Sequence, residues 1–141
     1  MQRAEVAGYT VASSQELGFC FATTRALSEA RETMVYSFYK TNDGRRWHVA
    51  GYGLEDRLSD PFVEVRVTID DSETLGARET QTSDGDFMLP FQTLDEITAH
   101  EAAVASGETL TIFIGDRDSL SLPLADYRAA LDAIDTCLAE F

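Results

Sequence analysis

Apolar residues recur along this chain at two different periods, and each change of period marks a boundary between elements. In "FVEVRVTID", Val63, Val65, Val67 and Ile69 alternate with Glu64, Arg66 and Thr68. One dry face and one wet face predict a strand of an antiparallel sheet. The same alternation runs through Leu110, Ile112 and Ile114 and again through Leu120, Leu122 and Leu124, with a turn at 115–118 between them. Near the start, "GYTVAS" and "GFCFATT" predict two short strands around a polar turn. Next, "ETMVYSFYK" and "RRWHVAGYG" flank "TNDG", and Asp43-Gly44 is a dipeptide favoured in two-residue type I′ hairpin loops. With that loop, Phe38 faces Val49 and Lys40 faces Trp47 on one side. Tyr39 then faces His48, and Val35 faces Tyr52, on the other. A three-residue loop shifts every pair. Residues 72–86 are polar and lean towards strand around "ARETQT".

Helical spacing replaces alternation in two places. Thr93-Leu-Asp-Glu96 matches a capping box, with Thr93 as N-cap and Glu96 reaching back. Leu94, Ile97, Glu101 and Val104 then share a face, and Gly107 stops the helix at a favoured C′ position. The last helix has Asp126 as its expected N-cap and a stripe of Tyr127, Leu131, Ile134 and Leu138, with Cys137 beside Ile134. The order is about seven strands, a helix, two strands and a helix, and consecutive strands argue against a parallel α/β sheet. The expected class is therefore α+β: a mainly antiparallel sheet or sandwich, with helices at about 93–106 and 126–139 packed on it. The chain of 141 residues fits one domain, 1–141, large enough for a conventional core.

Charge narrows the choice of partners. The net charge is −14, and Lys40 is the one lysine among eleven basic residues. Such a surface repels phosphate backbones and anionic lipid, so no nucleic-acid partner is expected. Acidity serves solubility or attracts a basic partner or cation. No apolar run approaches the roughly 18–20 residues that span a bilayer. "MQRAEVAGYTV" contains no apolar secretory core. That fits either a cytoplasmic chain or a mature segment of an exported one.

The two cysteines bear on the same question. Cys20 lies in a strand and Cys137 in the last helix. If that helix docks over the strand the sulfurs meet, closing a loop worth about 4–5 kcal/mol in the chain-entropy model. Otherwise each is a small buried hydrophobe. No CxxC pattern supports a redox motif or a zinc site.

The stretch "GYTVASSQELGFCFATT", a basic-aromatic hairpin, and "GETLTIFIGDRDSLSLPLADYRAALDAIDTC" together resemble the small secreted bacterial proteins of the invasion-associated locus B type. The likeness rests on an aromatic-led first strand, a Cys-x-Ala second strand, and an Ala-Leu closing helix after a leucine-alternating strand. The chain departs from that pattern at Ala12, Ser13 and Ser14, where a cysteine is often expected, and its middle lacks a second pair. The resemblance implies export to the periplasm or beyond and an undefined, non-enzymatic role.

No catalytic apparatus is legible. There is no G-x-S-x-G, no GxGxxG and no GxxxxGK[ST]. His48 and His100 fall on different element types and are too few for a metal cluster. The acidic groups Asp70-Asp71 with Glu73, Asp84 with Asp86, and Asp116 with Asp118 occupy turns and lack EF-hand spacing, so turn chemistry is the expected role. No metal and no cofactor are expected. Polar and aromatic residues gather on the hairpin, where Tyr39, His48 and Tyr52, with Arg45 and Arg46 near the tip, form the candidate binding surface. The competing reading buries that face in the core. Lys40 over Trp47 is an expected cation–π pair.

The leading functional expectation is a non-enzymatic periplasmic or secreted binding or interaction module, engaging a protein or small molecule or forming a homodimer through a sheet edge. Two alternatives stand beside it. One is a small hydrolase or isomerase in which carboxylates converge on His48. The other is a cytoplasmic adaptor with two free buried thiols.

Overall fold

In a computed structural model, residues 3–52, 61–83 and 85–141 are described, and Asp84 of the acidic turns lies outside them. Eight strands precede the first helix: β1 (Ala4–Val6), β2 (Tyr9–Ser14), β3 (Phe19–Leu27), β4 (Thr33–Thr41), β5 (Arg46–Gly51), β6 (Phe62–Ile69), β7 (Ser72–Ser83) and β8 (Asp86–Pro90). Then come α1 (Leu94–Ser106), β9 (Thr109–Ile114), β10 (Asp118–Pro123) and α2 (Leu124–Leu138). The strands form one sheet in the order β1-β2-β3-β4-β5-β8-β7-β6-β9-β10, with every pairing antiparallel. Of the expected sheet or sandwich, a single continuous sheet is what forms. It curls without closing. The Glu29 amide donates to the Ser119 carbonyl and the Ala30 amide to Asp118, so the turn after β3 touches β10 on the far wing.

The β4–β5 hairpin corrects the expected register. Its loop has three residues, 42–44: the Thr41 amide donates to Arg45 O at 2.8 Å and the Gly44 amide to Thr41 O at 3.1 Å. Gly44 has φ +92°, the left-handed residue that closes a loop of this length. Asp43 accepts from the Thr41 hydroxyl and the Arg45 guanidinium, which holds its carboxyl below the usual range. Phe38 therefore faces His48, Tyr39 faces Trp47, Lys40 faces Arg46, and Val35 faces Gly51. A one-residue slip exchanges the faces of a strand. His48 thus joins Tyr36 and Phe38 on the helix side, while Trp47 joins Tyr39 on the other. Lys40 and Trp47, expected to stack, lie on opposite faces.

Both helices pack on the face carrying Cys20, Ala22, Met34, Tyr36, Phe38, Ala50, Phe87 and Leu89, all buried. In α1 the Thr93 hydroxyl accepts from the Glu96 amide at 3.1 Å, and Glu96 accepts from the Gln92 amide at 2.8 Å, one residue before the expected donor. The buried α1 residues are His100 and Val104, whereas Leu94 is 76% exposed. The inner face is thus rotated from the one expected. Gly107 ends the helix in extended backbone, φ −83°, not in the left-handed turn expected of a C′ glycine. Its role is close packing: a Cβ there would stand 2.5 Å from Ile69 Cγ2 and 2.9 Å from Leu124 Cδ1.

Helix α2 starts earlier than expected. Pro123 (φ −64°) is its N-cap and Asp126 sits in the first turn. Leu124, Tyr127, Ala130, Ile134 and Cys137 form the buried stripe, leaving Leu131 and Leu138 at its margin. Cys137 is disulfide-bonded to Cys20, their Cα atoms 6.3 Å apart, so α2 is tied to β3. On β6, Val65, Val67 and Ile69 are buried as expected; Thr68 is buried too, on the opposite face, beside the extra residues that interrupt β7.

Candidate functional site

The hairpin register and the two helices bring four polar rings together. Tyr36 (β4) and His48 (β5) point inward from adjacent strands, and Tyr36 Oη lies 2.6 Å from His48 Nδ1. Tyr36 Oη donates to Tyr127 Oη on α2 at 3.3 Å. Tyr127 Oη lies 3.2 Å from His100 Nε2 on α1. The row His48–Tyr36–Tyr127–His100 thus links two strands to two helices. Phe38 and Phe91 wall it in: Phe91 lies 5.0 Å, centroid to centroid, from both imidazoles, and Phe38 lies flat to His100 at 9°.

Burial sets the protonation of this row. His48 is 0% and His100 2% exposed. Desolvation, with the neighbouring His100, holds His48 well below the ordinary histidine range. Desolvation, with Arg46 nearby, brings His100 to about 4. Both imidazoles are neutral at pH 7. Burial also raises Tyr36 and Tyr127, so both phenols keep their protons. The row's three links share two hydroxyl protons, so an imidazole N–H must complete them when all three are made. With the Tyr36 proton given to Tyr127, the link to His48 is completed by His48 Nδ1–H, which sets the tautomer of that ring. His48 Nε2, His100 Nδ1 and the nearby Tyr9 Oη are buried without a partner among the described residues.

Ion pairs fasten the helices over this row. Arg46 pairs with Glu101, Arg78 with Glu96, and Lys40 Nζ with Asp135 at 3.0 Å. Arg128 donates to the Val104 and Gly107 carbonyls at 2.9 and 3.0 Å, neutralising the C-terminal end of α1.

The opposite face of the same strands carries a second cluster. Phe19, Phe21, Tyr39 and Trp47 are half-buried, on the side turned away from the helices. Tyr39 stacks on Trp47 at 5.2 Å and 2°, and on Phe21 at 5.1 Å and 20°. Phe19 meets Tyr39 edge-on at 5.4 Å. Met88, 51% exposed on β8, extends the apolar surface beyond Trp47.

The five residues expected to form one binding surface are therefore divided. Tyr39 belongs to the outer cluster. Arg45 is at the exposed tip, paired with Asp43 at 3.2 Å. Arg46 and His48 face the helices. Tyr52 donates to Asp118 at 2.5 Å on the far wing of the sheet. Burial pushes Asp118 up, but hydrogen bonds from Tyr52, Ser28 and the Ala30 and Ser119 amides outweigh it and hold its carboxyl low. Asp70, expected to serve its own turn, instead accepts from the Glu108 and Thr109 amides and so ties the β6–β7 turn to the start of β9. No group of three His, Cys, Asp or Glu close enough to hold a metal occurs among the described residues. Tyr36 and Tyr127 were readable only as core. Their signal was a phenol on an inward-facing position, which demands a polar partner.

No described helix is long and apolar enough to cross a membrane. No family model matches the chain, and no curated protein matches it either. Among solved structures it is similar to invasion associated protein B from Bartonella henselae, with a TM-score of 0.61 and 14% identity over 97% of this chain and 98% of that one. At that identity the likeness is one of fold, reached independently of the sequence pattern that resembled the same group.

Proposed function

We propose that the chain is a single-domain, extracytoplasmic interaction module without catalysis, which engages a protein partner through the outer aromatic face of β3, β4 and β5. The carrying observation is the stack of Phe21, Tyr39 and Trp47 with Phe19 against it, half-exposed on the side away from both helices. Aromatic side chains pre-ordered by one another lose little entropy on binding and dominate interface energetics. The net charge of −14 favours a neutral or basic protein surface and disfavours nucleic acid. The Cys20–Cys137 bond supports an oxidising compartment, periplasmic or secreted, because such bonds persist there and are rare in reducing cytosol.

The test is site-specific photocrosslinking in the living cell. A photoreactive residue at position 47 should trap a discrete partner that the same residue at Ala99, on the exposed side of α1, does not. Adding Tyr39→Ser should abolish the adduct. An adduct at twice the monomer mass would identify the partner as a second copy. Equal trapping at both positions, or none at 47, would overturn the reading.

A further inference from the structure

A second surface has the features of a small-molecule site, separate from the aromatic face. Where α1 and α2 diverge they leave a cleft of about 290 Å³. Phe38 and His100 border it below, and Val104, Leu131 and Ile134 give it apolar walls. That volume lies at the small end of ligand pockets.

His100 is the buried polar residue of this space. It is 98% buried, since only 2% of its surface is exposed. Its Nε2 is engaged by Tyr127 within the core, and its Nδ1 has no partner among the described residues. A buried polar atom without a partner is costly unless something meets it, and His100 borders a cleft through which a ligand can arrive. Its neutral ring presents no charge to repel a cation.

The rim determines the class of ligand. Lys40 is matched by Asp135, Glu101 by Arg46, and the Arg128 guanidinium is turned onto the carbonyls ending α1. Asp132 remains, exposed, with no ion pair or side-chain hydrogen bond among the described residues. The chain's charge of −14 adds to the same sign.

We propose that the α1–α2 cleft binds a small organic amine, its ammonium at Asp132, its apolar body against Val104, Leu131 and Ile134, and a hydroxyl or amide on His100 Nδ1. Tyramine carries all three features. Its relatives each alter one: phenethylamine lacks the hydroxyl, tyrosol lacks the charge, and 3-(4-hydroxyphenyl)propionate reverses it.

Calorimetric titration of the intact, oxidised chain tests the assignment. Tyramine should bind with a dissociation constant on the order of a millimolar or tighter, and phenethylamine and tyrosol each about tenfold more weakly. The propionate should not bind. Asp132→Asn should bring tyramine down to the tyrosol level and leave tyrosol unchanged. Ala105→Trp, an exposed substitution on the cleft wall, should block all of them while the circular dichroism stays that of the parent. Preference for the carboxylate, undiminished tyramine binding in either variant, or no saturation by any of the four would overturn the proposal.

Discussion

Mild acid should loosen this fold through its two buried imidazoles, well before the carboxylates titrate. An unfolded histidine has a pKa of about 6.5. In the fold, burial and Arg46 bring His100 to about 4, and burial with His100 alongside holds His48 well below its ordinary value. Above pH 6.5 neither state is protonated, so the contribution to stability is complete. Below it the unfolded chain takes up protons that the native chain refuses, so stability falls with pH until the folded value is reached. For His100 the full window is worth about 3 kcal/mol, of which about 2 kcal/mol is lost by pH 5. His48 adds to the same sign. Against a typical stability of about 5–15 kcal/mol this is a large fraction. Urea titrations of the oxidised protein at pH 7 and pH 5 measure it. With a slope near 2 kcal/mol per molar, the His100 share alone lowers the midpoint by about 1 M. His100→Phe should remove that share of the pH dependence even if it lowers stability at pH 7. Asp118 and Glu96, both held low, lose their contributions only below about pH 4.5, outside this window. Equal midpoints at pH 7 and 5, or an imidazole resonance of His100 titrating near 6.5, would refute the reasoning.

Three further outcomes follow from the packing. Removing the disulfide as Cys20→Ala with Cys137→Ala should cost about 3–5 kcal/mol, because the bond spans a sequence separation of 117 residues, and denaturant titration against the parent reads it directly. Gly107→Ala should lower the melting temperature by the equivalent of about 1–3 kcal/mol through collision with Ile69 and Leu124, although its backbone suits alanine; an unchanged melt would show that α1 and α2 yield there. Tyr52→Phe should raise the Asp118 pKa and cost about 1.5–3 kcal/mol at pH 7, since a hydrogen bond to a charged group is lost, and carbon-detected titration of Asp118 follows the shift.

Local pattern carried most of the element list but not β1 or β8, which make eight strands before α1 where about seven are expected. Alternation placed β6, β9 and β10, and the Thr93 cap placed the start of α1 within a residue. The register of β4 on β5 needed the loop length, and "TNDG" suits both a two- and a three-residue loop. Hydrogen bonds around Thr41 decide between them, and the pattern does not encode these. The inner face of α1 was misread because His100 counts as polar in any periodic scan, yet it is buried; Leu94 counts as apolar, yet it is exposed. Which strand α2 covers is likewise a matter of sheet order. The bridge between Cys20 and Cys137 stayed open in the sequence for that reason.

Of the buried polar rings, the Tyr36–His48 pair is the one that senses strand register, because its two members stand on adjacent strands. Slide β5 by one residue along β4 and His48 turns to the outer face, leaving Tyr36 with Tyr127 alone as its partner. Val49 would take its place opposite Phe38, and Trp47 would turn inward opposite Lys40, where Arg46 now stands. The competing register therefore forfeits a buried 2.6 Å hydrogen bond, at about 1 kcal/mol. The three-residue loop at Gly44 and the His48–Tyr36 contact thus select the same register from opposite ends of the hairpin. That one selection also decides what the protein shows to its surroundings. Only in this register do Tyr39 and Trp47 stack in the open beside Phe21, so the polar row inside is what fixes the aromatic face outside.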